Sequence, residues 1–63
     1  METTFITKIN MRNKNGIVEK FKFKTKVYIP LEKAISMAID EIGLDVYIDL
    51  KYHTEFYSTQ RIN

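Results

Sequence analysis

The sequence predicts an α+β fold of order β-β-α-β, with one helix packed on one face of a three-stranded, mainly antiparallel sheet. Three observations carry that expectation. Polar and apolar residues alternate along 3–12, 17–29 and 44–57, the period of a strand with one buried and one wet face. Asn15-Gly16 lies between the first two runs, the strongest short-range hairpin signal. After Pro30 the apolar spacing changes to that of one helix face.

In the first run, TTFITKINMR, Phe5, Thr7, Ile9 and Met11 share one side, and Ile6, Lys8, Asn10 and Arg12 the other. Phase decides the length of the loop that follows. A two-residue Asn15-Gly16 turn would set Ile9 against Lys22 and mix the faces. A three-residue loop, Lys14 to Gly16, sets Ile9 against Phe21 and Thr7 against Phe23. A type I turn with Gly16 left-handed in a G1 bulge is therefore expected. It places Lys8 opposite Lys22, a mildly destabilising like-charge pair.

The second run has Ile17, Phe21, Phe23, Thr25, Val27 and Ile29 on one side, and Val18, Lys20, Lys22, Lys24, Lys26 and Tyr28 on the other. Pro30 ends it and suits a helix start. Leu31, Ala34, Ile35, Ala38, Ile39 and Ile42 form the helical stripe over 31–42. Glu32 complements the positive end of the helix dipole, Asp40 and Glu41 oppose the negative end, and Gly43 is a natural left-handed terminator. The third run, LDVYIDLKYHTEFY, puts Leu44, Val46, Ile48, Leu50, Tyr52, Thr54 and Phe56 on one side. Asp45, Tyr47, Asp49, Lys51, His53, Glu55 and Tyr57 fall on the other. Residues 58–63 read as a frayed tail. A central first strand makes every pairing antiparallel, which tolerates a wet face better. A central second strand would bring Asp45 and Asp49 beside the lysine row.

The 63 residues suit one domain, 1–63. So small a domain buries only about 60% of its unfolded surface and gains from a staple or a second chain. There is no Cys, hence no disulfide or thiolate metal site, and nothing suggests a cofactor. No run approaches the roughly 18 apolar residues of a membrane span, and METTFITK lacks the pattern of a signal peptide. A cytoplasmic location is expected, the host cytoplasm if the protein is viral. The net charge of +2 is unevenly placed. Residues 8–26 are basic apart from Glu19, whereas Asp40, Glu41, Asp45 and Asp49 crowd 40–49. The wealth of Ile, Lys and Asn is the vocabulary of an A+T-rich genome, such as that of a phage or other mobile element.

A helix of about 12 residues spans roughly 18 Å, and strands of about 13 span roughly 40 Å. This mismatch predicts bare overhangs: Ile9, Met11, Ile17 and Phe21 at the hairpin tip, and Tyr52, Phe56 and Tyr57 on the third strand. Another chain, most simply a twofold copy, is expected to cover them. A second candidate site is the lysine row, Lys20, Lys22, Lys24 and Lys26, flanked by Lys8 and Arg12. Its cations could bind phosphates, while Tyr28, Tyr47 and Tyr57 on the same face stack bases. The competing explanation is a solvated face whose lysines guard an edge strand. His53 is the single histidine and reads as an ordinary surface residue. No nucleophile–base set or phosphate-cradling glycine loop appears, so no enzyme is expected, and Asp45, Asp49 and Glu55 form no recognisable metal cage.

The element order resembles that of small phage proteins that bind and inhibit host machinery such as RNA polymerase. The likeness covers most of the chain but is architectural, so no functional residue carries over. The leading expectation is a non-enzymatic accessory or regulatory factor of phage or mobile-element type, acting as a homodimer by protein–protein contact and possessing a host protein target. The alternative is a nucleic-acid binder that uses the Lys/Tyr-rich sheet face.

Overall fold

The computed structural model describes residues 2–63, and Met1 lies outside them. The elements are β1 (Phe5–Arg12), β2 (Val18–Thr25), α1 (Leu31–Ile42), α2 (Leu44–Asp49) and β3 (His53–Arg61). The strands form one antiparallel sheet in the order β2-β1-β3, so the first strand is central. Among the described residues, no helix is long and apolar enough to cross a membrane.

The hairpin register sets Ile9 against Phe21, Thr7 against Phe23 and Lys8 against Lys22. The Asn13 amide donates to the Ile17 carbonyl (3.0 Å), and the Gly16 amide to the Asn13 carbonyl (2.9 Å). These bonds close the three-residue loop. Gly16 sits at φ 81°, where a Cβ would be strained. The buried Asn13 side chain holds the turn: its Oδ1 accepts from the amides of Asn15 (2.9 Å) and Ile17 (3.1 Å).

β2 is shorter than its alternating pattern. It ends at Thr25, whose hydroxyl donates to the Val27 carbonyl at 2.8 Å. Residues 26–30 then cross to the helix layer, burying Ile29 and leaving Val27 and Tyr28 exposed. Pro30 precedes the first turn of α1, its carbonyl accepting from the Ala34 amide at 2.9 Å. Ala34 and Ala38 are fully buried; their small side chains let the helix backbone approach the sheet.

The principal correction to the expected order lies at 44–49, which forms a second helix rather than the start of the third strand. Gly43, at φ 98°, both ends α1 and begins α2. Its amide donates to the Ile39 carbonyl (2.7 Å), and its carbonyl accepts from the Tyr47 amide (2.9 Å). A six-residue run with apolar residues at alternate positions cannot separate the two periods. Lys51, at φ 51°, ends this helix before β3. The Lys14 amide bonds the Leu50 carbonyl at 2.7 Å, fixing the hairpin tip to the end of α2.

This second helix overturns much of the overhang argument. The sheet is covered by α1 and α2 together, and Tyr47 and Leu50 of that region pack against the core. Ile9, Met11 and Tyr52, expected to be bare, are 0%, 0% and 8% exposed. Phe21 and Tyr57 are half-buried, whereas Ile17 and Phe56 remain exposed. The expected tail is also corrected: residues 58–61 continue β3, and the Ile62 amide donates to the Thr4 carbonyl at 2.9 Å. Polar groups on the covered face are matched within the chain. Thr7 and Thr59 share a hydroxyl–hydroxyl bond of 3.0 Å, and the Tyr52 hydroxyl donates to Glu19. Among the described residues, no buried side-chain N or O atom lacks a partner.

Candidate nucleic-acid interface

Neither helix contributes to the opposite face of the sheet. The pairings place Ile6, Lys8, Asn10 and Arg12 of β1 there, with Val18, Lys20, Lys22 and Lys24 of β2. From β3 it receives His53, Phe56, Ser58 and Gln60. Lys8, Lys20, Lys22 and Lys24 are exposed. None has an acidic partner within ion-pair distance among the described residues.

Spacing follows from the ladder. Because the Asn13–Ile17 pair is hydrogen-bonded, the odd residues of β1 bond to β2 and the even residues do not. Lys8–Lys22 and Asn10–Lys20 are thus non-hydrogen-bonded pairs, with Cα atoms about 4.5 Å apart in such ladders. Two ammonium groups rise from adjacent points at the middle of the face with no carboxylate between them. A shallow depression of about 350 Å³ lies here, lined by Lys8, Asn10, Lys20, Phe21, Lys22 and Phe56.

Glu55 supplies the acid of this region, and it is engaged. The Arg12 Nε donates to its carboxylate, while Arg12 Nη1 donates to the Gly16 carbonyl at 2.8 Å. The Arg12 hydrogen bond holds the Glu55 carboxyl below its ordinary pKa. Arg12 therefore stands braced at the tip. Lys26 departs from the expected row: it lies beyond the end of β2 and pairs with Glu2 at 2.8 Å.

None of the tyrosines proposed for stacking lies among the lysines. Tyr47, on α2, stacks on Tyr52 (centroids 6.1 Å apart, planes at 6°). Tyr28 packs edge-on against Phe5 at 6.1 Å, on the covered side. The Tyr57 hydroxyl donates to the Ile29 carbonyl at 2.5 Å, and desolvation raises its pKa. Phe56 is instead the ring on the lysine face, 47% exposed opposite Asn10.

A β-bulge explains the exchange. The β1–β3 register shifts between Asn10 and Met11, so Met11 pairs with Thr54 while Asn10 pairs with Phe56, leaving Glu55 as the extra residue. Each residue after the bulge therefore faces opposite to the alternation read from 44 onward. Phe56 turns out and Tyr57 turns in. No residue in HTEFY marks the bulge; the register identifies Glu55 as the extra residue, and its side chain bonds Arg12.

The face can hold a polyanion: mobile ammonium groups for phosphates, an amide at Asn10 for base edges, and a ring for one base to stack upon. On the helix side, Asp40, Glu41, Asp45 and Asp49 are all exposed. The acids and the lysine row thus occupy opposite layers. Among the described residues, no three His, Cys, Asp or Glu side chains cluster as metal ligands. No protein-family model, curated protein or solved structure matches the chain.

Proposed function

We propose that the protein binds single-stranded nucleic acid on the uncovered face of its sheet. The observation that carries this reading is the Lys8–Lys22 pair with Lys20 and Lys24 beside it, unneutralised and next to the exposed Phe56 ring. Like charges directly opposed across strands cost stability, and a bound phosphate relieves that cost. Lys8, Lys20, Lys22 and Lys24 contact the backbone; Phe56 stacks a base; Asn10 reaches a base edge. A single strand is favoured over a duplex because its bases are free to lie on the ring.

Fluorescence anisotropy with labelled single-stranded DNA, single-stranded RNA and duplex tests the reading. The expected order is single strand over duplex, with binding sharply reduced in Lys8→Gln/Lys22→Gln. Equal binding by that variant would contradict it.

A second reading, an accessory or regulatory factor of phage or mobile-element type acting on a host protein, has one observation in its favour. Leu44, Val46 and Ile48 lie exposed on α2 among Asp45 and Asp49. Such a contact would use the acidic layer and leave the lysine face free. Substituting Leu44→Ser/Ile48→Ser would then abolish the contact while leaving nucleic-acid binding intact.

A further inference from the structure

The two edges of the sheet are built differently. Even residues of β1 bond to β3, as the Ile62 amide to the Thr4 carbonyl shows. The outward backbone groups of β3 therefore belong to Tyr57, Thr59 and Arg61, and those of β2 to Val18, Lys20, Lys22 and Lys24. On β2, a twofold pairing centred on Lys22 would set Lys20 against Lys24 and Lys22 against itself, an arrangement that repels. Over its outer half, from Phe56 to Gln60, β3 carries neither lysine nor proline. Two exposed apolar side chains of one parity flank this edge, Phe56 (47%) at its start and Ile62 (52%) just past the strand.

We infer that β3 pairs with β3 of a second copy, antiparallel about a twofold axis at Thr59. In this register the Thr59 amides and carbonyls bond each other across the axis, and Tyr57 exchanges bonds with Arg61 of the second copy. Ser58 lies opposite Gln60, and Phe56 opposite Ile62. The register brings both exposed apolar groups together twice, on the uncovered face, and brings no like charges into opposition. The result is a six-stranded sheet with β2 at each outer edge, the strand whose lysines discourage further growth. The two lysine faces become continuous. The pairing shares Phe56 with the proposed base-stacking face and otherwise rests on backbone groups and on Ile62, so its test is made at Arg61, Ser58 and Gln60, outside the residues proposed to bind nucleic acid.

Light scattering across a concentration series should show the mass rising from 7.5 kDa toward twice that value. Arg61→Pro removes an outward amide that bonds nothing within the sheet, and proline is tolerated on an edge strand, so the variant should stay monomeric with an unchanged circular-dichroism spectrum. The register is tested by cross-linking, which the absence of native Cys makes clean. Opposed non-hydrogen-bonded residues lie about 4.5 Å apart, within disulfide reach. A mixture of Ser58→Cys and Gln60→Cys should form a disulfide-linked pair under mild oxidation, while neither variant does so alone. A monomer at every concentration, or Ser58→Cys linking to itself as readily as the mixture, would overturn the inference. Nucleic-acid binding that persists in monomeric Arg61→Pro would leave the proposed function standing, so the two claims fail separately.

Discussion

The two faces of one sheet are made by alternate residues of the same strands, yet they are finished in opposite ways. On the covered face Ile9 and Met11 are fully enclosed, and the polar groups of Thr7, Asn13, Glu19 and Tyr52 find partners within the chain. On the open face Lys8 stands opposite Lys22, no acid among the described residues pairs with either, and Phe56 is 47% exposed. The first arrangement spends its residues on stability. The second carries a like-charge pair that costs a little stability, a departure from local consistency of the kind found where proteins act on something else, and the proposed function takes it so.

The contrast should appear first in folding. Ile9→Ala should cost about 2–5 kcal/mol, which lowers Tm by about 8–40 °C in so small a domain at about 4–8 °C per kcal/mol. Lys20→Ala should stay within about 0.5 kcal/mol. Comparable losses in chemical denaturation would erase the distinction between the faces. Asn13→Ala, which strips an acceptor from the Asn15 and Ile17 amides, should cost about 1–3 kcal/mol and loosen the tip. Phe56→Ala should reverse the pattern, barely moving Tm while removing about 1–3 kcal/mol of binding to a single strand. Lys22→Gln should do both things at once: gain about 0.2–1 kcal/mol of stability by ending the like-charge pair, and weaken binding.

The smallest effect expected is with pH. The hydrogen bond to Glu19 is the main cause raising the Tyr52 pKa above its ordinary 10.0. A raised folded-state value gives stability that is present in full below the unfolded pKa and is lost as pH rises through the folded one. Unfolding measured above about pH 10 should therefore show a decline that is shallower in Tyr52→Phe. An identical decline would remove Tyr52 from the account, leaving Tyr57 as the other tyrosine with a raised pKa.

Much of this architecture is legible in the residues. The alternation of 5–12 and 18–25, the phase argument for a three-residue loop and the helical stripe of 31–42 follow from period and turn chemistry; the strand order does not, and the tolerance of an antiparallel sheet for a wet face only inclines toward the β2-β1-β3 order that the structure has. What is hidden has two physical sources. In LDVYID six residues satisfy both a strand and a short helix, and packing outside the segment, with Tyr47 stacked on Tyr52 and against the core, accompanies the helical choice. At Glu55 a single inserted residue reverses the faces of everything after it. That bulge exchanged the roles of Phe56 and Tyr57, and the helix took Tyr47 off the lysine face. Lys8, Lys20, Lys22 and Lys24 share one face as their alternation reads, whereas Lys26 lies beyond β2 beside Glu2 and the ring on that face is Phe56.

The most direct test of the central claim is the salt dependence of single-strand binding. Plotted as log affinity against log salt, four phosphate contacts by Lys8, Lys20, Lys22 and Lys24 predict a slope of about −3, taking about 0.7 per contact on a single strand. The quadruple change of these lysines to Gln should bring the slope close to zero. A flat response in the unmodified protein, or a steep one that survives the quadruple change, would contradict the claim that this face binds nucleic acid.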